Sequence, residues 1–110
     1  MADQALHQHE SRLWTSHEPA ANTAAVVTIA AATNKYHHIS QVVYSYDADP
    51  TGGSLTITDG TYTVVVDITT TGPGSLYFPR EFASSLGSAI TVTLAAGGAG
   101  VTGKLNVQSD

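Results

Sequence analysis

The side chains of this chain best placed for chemistry are its histidines and a small group of acids. His7-Gln8-His9 sets two imidazoles two residues apart. In an extended segment both rings point the same way, so the pair could meet one metal ion. No third ligand stands at a useful spacing. His37 and His38 are adjacent, so on a strand they point to opposite faces and cannot chelate together. Asp47-Ala48-Asp49-Pro50-Thr51-Gly52 imitates the first half of a calcium loop, with oxygens at positions one, three and five and glycine at six. The match then ends. Pro50 stiffens the loop, and Thr58 stands where the bidentate acid of position twelve is required. A turn rich in Asp and Gly is expected there, with no metal site and no cofactor.

Catalytic groupings are equally absent. No serine lies in a Gly-x-Ser-x-Gly elbow, no glycine-rich phosphate loop precedes a helix, and no helix carries a His-x-x-x-His pair. Asp47 and Asp49 share a loop tip, with nothing to make one an acid and the other a base. The chain reads as a non-enzyme. Tyr36, Tyr44, Tyr46, Tyr62 and Tyr77 could build a sugar-stacking platform, but aromatics favour strands and pack on cross-strand neighbours, which is the simpler expectation.

Charge narrows the field further. Only 12% of the 110 residues are charged, against an ordinary share of about 25%. The formal net charge is −5, and the four basic residues, Arg12, Lys35, Arg80 and Lys104, are scattered. No basic stripe exists to neutralise phosphates, so neither nucleic acid nor an anionic membrane is an expected partner. There is no cysteine, hence no disulfide framework and no zinc–sulfur site. No leader with an apolar core and no apolar run of about 20 residues is visible, so a soluble protein assembled inside a cell is expected.

Short strands must position whatever this chain presents. Residues 52–68 read as a hairpin closed by a two-residue type I′ turn at Asp59-Gly60. That register sets Ile57 opposite Tyr62 and Leu55 opposite Val64. Leu55, Ile57, Tyr62, Val64, Val66 and Ile68 then share the inner face, and Ser54, Thr56, Thr58, Thr61, Thr63 and Asp67 the outer one, with Val65 the exception. Residues 24–31 make a strand with Ala25, Val27 and Ile29 inward. Residues 37–46 make another, apolar on both sides, which requires two packed surfaces or a bulge that switches faces. Residues 75–79 form a short strand, and 80–88 an irregular stretch with room for one helical turn. Ile90, Val92 and Leu94 point inward from 89–95, as do Val101, Leu105 and Val107 from 101–107.

Seven strands with turn signals every 8–12 residues predict an all-β fold, an antiparallel β-sandwich, jelly-roll-like if an eighth strand comes from 80–88 or from the leader. An immunoglobulin-like topology stays open at this stage. Residues 1–22 are set apart as an N-terminal arm, extended or partly helical, because Leu6 and Leu13 are one heptad apart and Glu18-Pro19 favours extension. The sandwich domain is then 23–110. A disordered leader is the plain expectation for such a terminus; Trp14, the only tryptophan, argues instead for an arm that lies on a partner or a sister subunit.

Residues 50–60 (Pro-Thr-Gly-Gly-Ser-Leu-Thr-Ile-Thr-Asp-Gly), 67–74 and 91–105 carry a likeness over about residues 22–108. The chain resembles the small β-sandwich capsid decoration, or cement, proteins of tailed bacteriophages. The resemblance implies a non-enzymatic virion protein that stabilises the capsid from its surface. It would be assembled in the host cytoplasm and bound to the major capsid protein as a homo-oligomer, often a trimer. On that reading Leu6, Leu13 and Trp14 anchor on the coat, and Tyr44, Tyr77, Phe78, Arg80 and Phe82 lie at the subunit interface. The alternative is a glycan- or receptor-binding module of a tail fibre or spike.

Overall fold

A computed structural model describes residues 13–109, the side chains of 79–81 excepted. Eight strands make up its regular structure: β1 (Leu13–His17), β2 (Ala25–Ile29), β3 (His38–Tyr46), β4 (Gly53–Thr58), β5 (Thr63–Ile68), β6 (Gly72–Ala83), β7 (Ile90–Leu94) and β8 (Gly103–Ser109). They form two four-stranded sheets, sheet A in the order β1-β8-β3-β6 and sheet B in the order β2-β7-β4-β5. Strands β4 and β5 pair as a hairpin, β3 pairs with β6, β2 with β7 and β1 with β8, all antiparallel. The chain is thus one long ribbon doubled at residues 59–62 and rolled into two layers. That pairing is a jelly roll, and it removes the immunoglobulin-like alternative.

Alternation drives the roll. Every second residue of β4, β7 and β8 is buried: Leu55 and Ile57, then Ile90, Val92 and Leu94, then Leu105 and Val107. Ala25, Val27, Ile39, Val42, Tyr46, Ile68 and Val101 complete the core. Tyr46 is its largest side chain, and its hydroxyl donates to the carbonyl of Ala95 at 2.6 Å. Burial holds that phenol above its ordinary pKa. The ring lies where glycines leave room: a Cβ on Gly97 would come within 3.0 Å of it, and one on Gly103 within 2.9 Å of Leu94.

Four expectations are corrected. Leu13–His17, placed in an arm expected to be extended or partly helical and outside the sandwich, form β1, paired with β8 from Leu13 opposite Ser109 to His17 opposite Leu105. The boundary expected at residue 22 therefore falls after a strand of the sandwich. Leu6 and the remainder of the expected arm lie outside the described residues. Residues 72–74, outside the expected 75–79 strand, and 80–83, expected as part of an irregular stretch, extend β6 to twelve residues with no helical turn. In the hairpin Thr58 faces Thr63, Ile57 faces Val64 and Leu55 faces Val66, so the turn holds four residues. Of Asp59 and Gly60 only Gly60 has positive φ, 93°, so the turn is not type I′. A slip of two keeps every strand residue on its assigned face, but Tyr62 leaves the inner face for the loop and is 63% exposed.

The two-sided strand is resolved by a bulge. The ladder of β3 shifts between Ile39 and Gln41 on both flanks, so Ile39 and Val42 both enter the core.

Side chains lock the loops at each end. At one end Asp47 Oδ1 accepts from Thr102 N and Asp49 Oδ1 from Thr71 N, each at 2.7 Å. At the other, Asp59 Oδ1 accepts from Thr61 N and Tyr62 N, and its Oδ2 accepts from the N–H and hydroxyl of Ser85.

Candidate functional site

The described residues enclose no cavity and gather no cluster of three or more metal-ligating side chains. Asp47 and Asp49, the acids of the calcium-like hexapeptide, instead hold neighbouring loops by backbone N–H groups. His7 and His9 lie outside the described residues. What the fold offers is surface, and its two outer faces differ in kind.

The outer face of sheet B is a field of hydroxyls and methyls. Register places Val26, Thr93, Thr56 and Val65 in one row across all four strands, and Thr28, Thr91, Thr58 and Thr63 in the next. These are the positions that alternate with the core, so they point out of the sandwich. Thr58 and Thr63 hydroxyls lie 3.0 Å apart in mutual hydrogen bond. The two rows contain no charge, and Asp67 opposite Ser54 stands beyond them.

The outer face of sheet A is aromatic and amide-bearing. Trp14 stands opposite Gln108, Gln108 opposite Gln41, and Gln41 opposite Tyr77, making one row across β1, β8, β3 and β6. Trp14 is 51% exposed and Tyr77 65%. The next row holds Ser16, Asn106, Val43 and Ser75, with Ser16 Oγ donating to Asn106 Oδ1 at 2.6 Å.

The residues singled out by sequence scatter over this frame. Leu13 is exposed and stands opposite buried Ser109, on the side of β1 away from Trp14. Tyr44 packs over Gly74, where an added Cβ would lie 2.6 Å from its ring. Tyr44, Phe78 and Phe82 are part-buried against the chain's own core, with the Phe78 and Phe82 ring centres 6.2 Å apart. Tyr77 is the exposed member of that group, and the side chain of Arg80 lies outside the described residues. Gln41 and Gln108 carried no local signal. Only the pairing of four distant segments brings them between two aromatics.

The strand edges also differ. On β2 the N–H of Val26 donates to Nδ1 of His17 at 2.9 Å, which blunts that edge. Pro73 and Pro79 interrupt donors along β6.

No protein-family model matches the chain, and no curated protein matches it in sequence. Solved structures match it at low identity. The capsid structure of Helicobacter pylori bacteriophage KHP30 is 11% identical, with 89% of this chain and 86% of that chain covered and a TM-score of 0.50. A CBM36-1 domain of a multidomain xylanase from the hindgut metagenome of Trinervitermes trinervoides is 10% identical, over 88% and 95% of the two chains, with a TM-score of 0.44. The virus-like particle of the Macrobrachium rosenbergii extra small virus is 16% identical, over 90% and 78%, with a TM-score of 0.33. At 11% identity the likeness to the phage capsid structure is one of fold.

Proposed function

We propose that this chain is a non-enzymatic structural protein of a virion shell. It decorates and stabilises a bacteriophage capsid by binding the coat lattice as an oligomer. The observation that carries this reading is the outer face of sheet B. Eight positions in two rows present only threonine and valine. Removing such a face from water strands no charge, and the Thr58 and Thr63 hydroxyls already partner each other. Sheets stack face to face at about 10 Å, so small β-branched side chains suit contact with a second flat surface. Shared jelly-roll topology with a phage capsid structure supports the same reading at the level of fold. Leu13, exposed at the edge of β1, joins Leu6 in the proposed coat anchor. Trp14 turns to the other face and is left out of it.

Thr93→Lys tests the proposal, because Thr93 sits in the middle of the face, between Val26 and Thr56. The intact chain is expected to sediment with shells of the phage that carries its gene and to form a discrete oligomer by light scattering. The variant should melt at the same temperature yet remain monomeric and unbound. A native chain that stays monomeric and ignores shells would refute the role.

A further inference from the structure

We infer that the outer face of sheet A is a binding strip for neutral carbohydrate, read by the row Trp14, Gln108, Gln41 and Tyr77. Three interstrand steps separate the two aromatics, about 14 Å, the span of a short oligosaccharide. Both rings are more exposed than buried, which is unusual for large apolar side chains that bury much area when they can. A sugar ring offers C–H faces to an aromatic and hydroxyls to an amide. The strip offers those two kinds of partner in alternation along its length.

Two further observations favour sugar over protein. A protein interface has an apolar centre and a polar rim. This row has the reverse, with amides in the middle and aromatics at the ends. The central amide is also set in place: Ser40, the buried residue of the β3 bulge, donates to Gln108 Oε1 at 2.8 Å. A fixed amide loses little freedom when a ligand hydroxyl reaches it. Among the described residues the row holds no charged group. Lys104, four residues along β8, is paired with Glu18 at 3.7 Å. A neutral glycan matches that lack of charge.

Trp14 is the only tryptophan of the chain, so its emission reports directly from the strip. The intact protein is first screened on a printed array of neutral, sialylated and sulfated glycans, and neutral oligosaccharides that bind are titrated against tryptophan fluorescence. Binding of a neutral glycan is expected, with a blue shift of the emission. Tyr77→Ala and Gln41→Ala should each weaken it by roughly tenfold without moving the melting temperature. A silent array, binding confined to acidic glycans, or affinity untouched by both variants overturns the assignment. The inference does not rest on the shell role: the same variants should sediment with shells like the native chain. If they lose the shell instead, the strip is a protein contact and the carbohydrate assignment is wrong.

Discussion

Asp59 is the residue on which the centre of the ribbon turns. Its carboxylate accepts the N–H groups of Tyr62, Thr61 and Ser85, in that order of influence, and these hold its pKa well below the usual carboxylate range. Ser85 lies between β6 and β7, so one side chain fastens the β4–β5 loop to the neighbouring connection. The folded state binds a proton here less readily than the unfolded one. The stabilisation is therefore complete above the unfolded pKa, near pH 4, and is lost as pH falls through the lower folded value. Asp59→Asn removes the charge while keeping an acceptor. Melting followed by circular dichroism should show the native chain losing more stability than the variant as pH falls from about 4 to about 2. Parallel curves would mean that the carboxylate is not the acid-sensitive fastener.

Among the elements, depth in the sheet sets the sensitivity. Leu94 is fully buried in β7, which lies between β2 and β4, whereas Val65 points out from edge strand β5. Leu94→Ala should cost about 2–5 kcal/mol, and Val65→Ala less than about 0.5 kcal/mol, both measured by urea unfolding. The same contrast explains what could be read before the structure. Strands β2, β4, β7 and β8 alternate because one side of each faces the core, and their inner residues were legible one by one. Strand β1 was not, because all five of its residues are exposed and only backbone pairing to β8 makes it a strand. The length of β6 was not legible because Pro73 and Pro79 lie just outside and at the end of the expected 75–79 strand, and only their place on an edge lets the strand run through them. The hairpin turn was misjudged because Asp59 uses its side chain to close a four-residue loop, and a short Asp-Gly signal does not reveal that. Likewise the threonine alternation of the sheet B face was visible along each strand. The sheet A row was not, since its four members come from four separated segments.

For the molecule as a whole, charge bears on assembly. The chain carries a formal net charge of −5, yet the face proposed for contact is neutral. Copies brought together repel through their general acidity rather than through the contact itself. Salt screens that repulsion over a length of about 8 Å at physiological strength and leaves apolar contact intact. Self-association measured by sedimentation should therefore strengthen from low to moderate salt; weakening over that range would point to ion pairs at the interface. Leu13 stands directly opposite Ser109, so the two ends of the ribbon meet side by side, within about 5.5 Å. The described ribbon is all but a closed loop, and a short peptide could join residue 13 to residue 109 while new ends are cut in an exposed connection. Any cargo fused through residue 13 or residue 109 would emerge at one shared corner, beside the tryptophan. Attachment there would shade the aromatic strip and leave the threonine face clear.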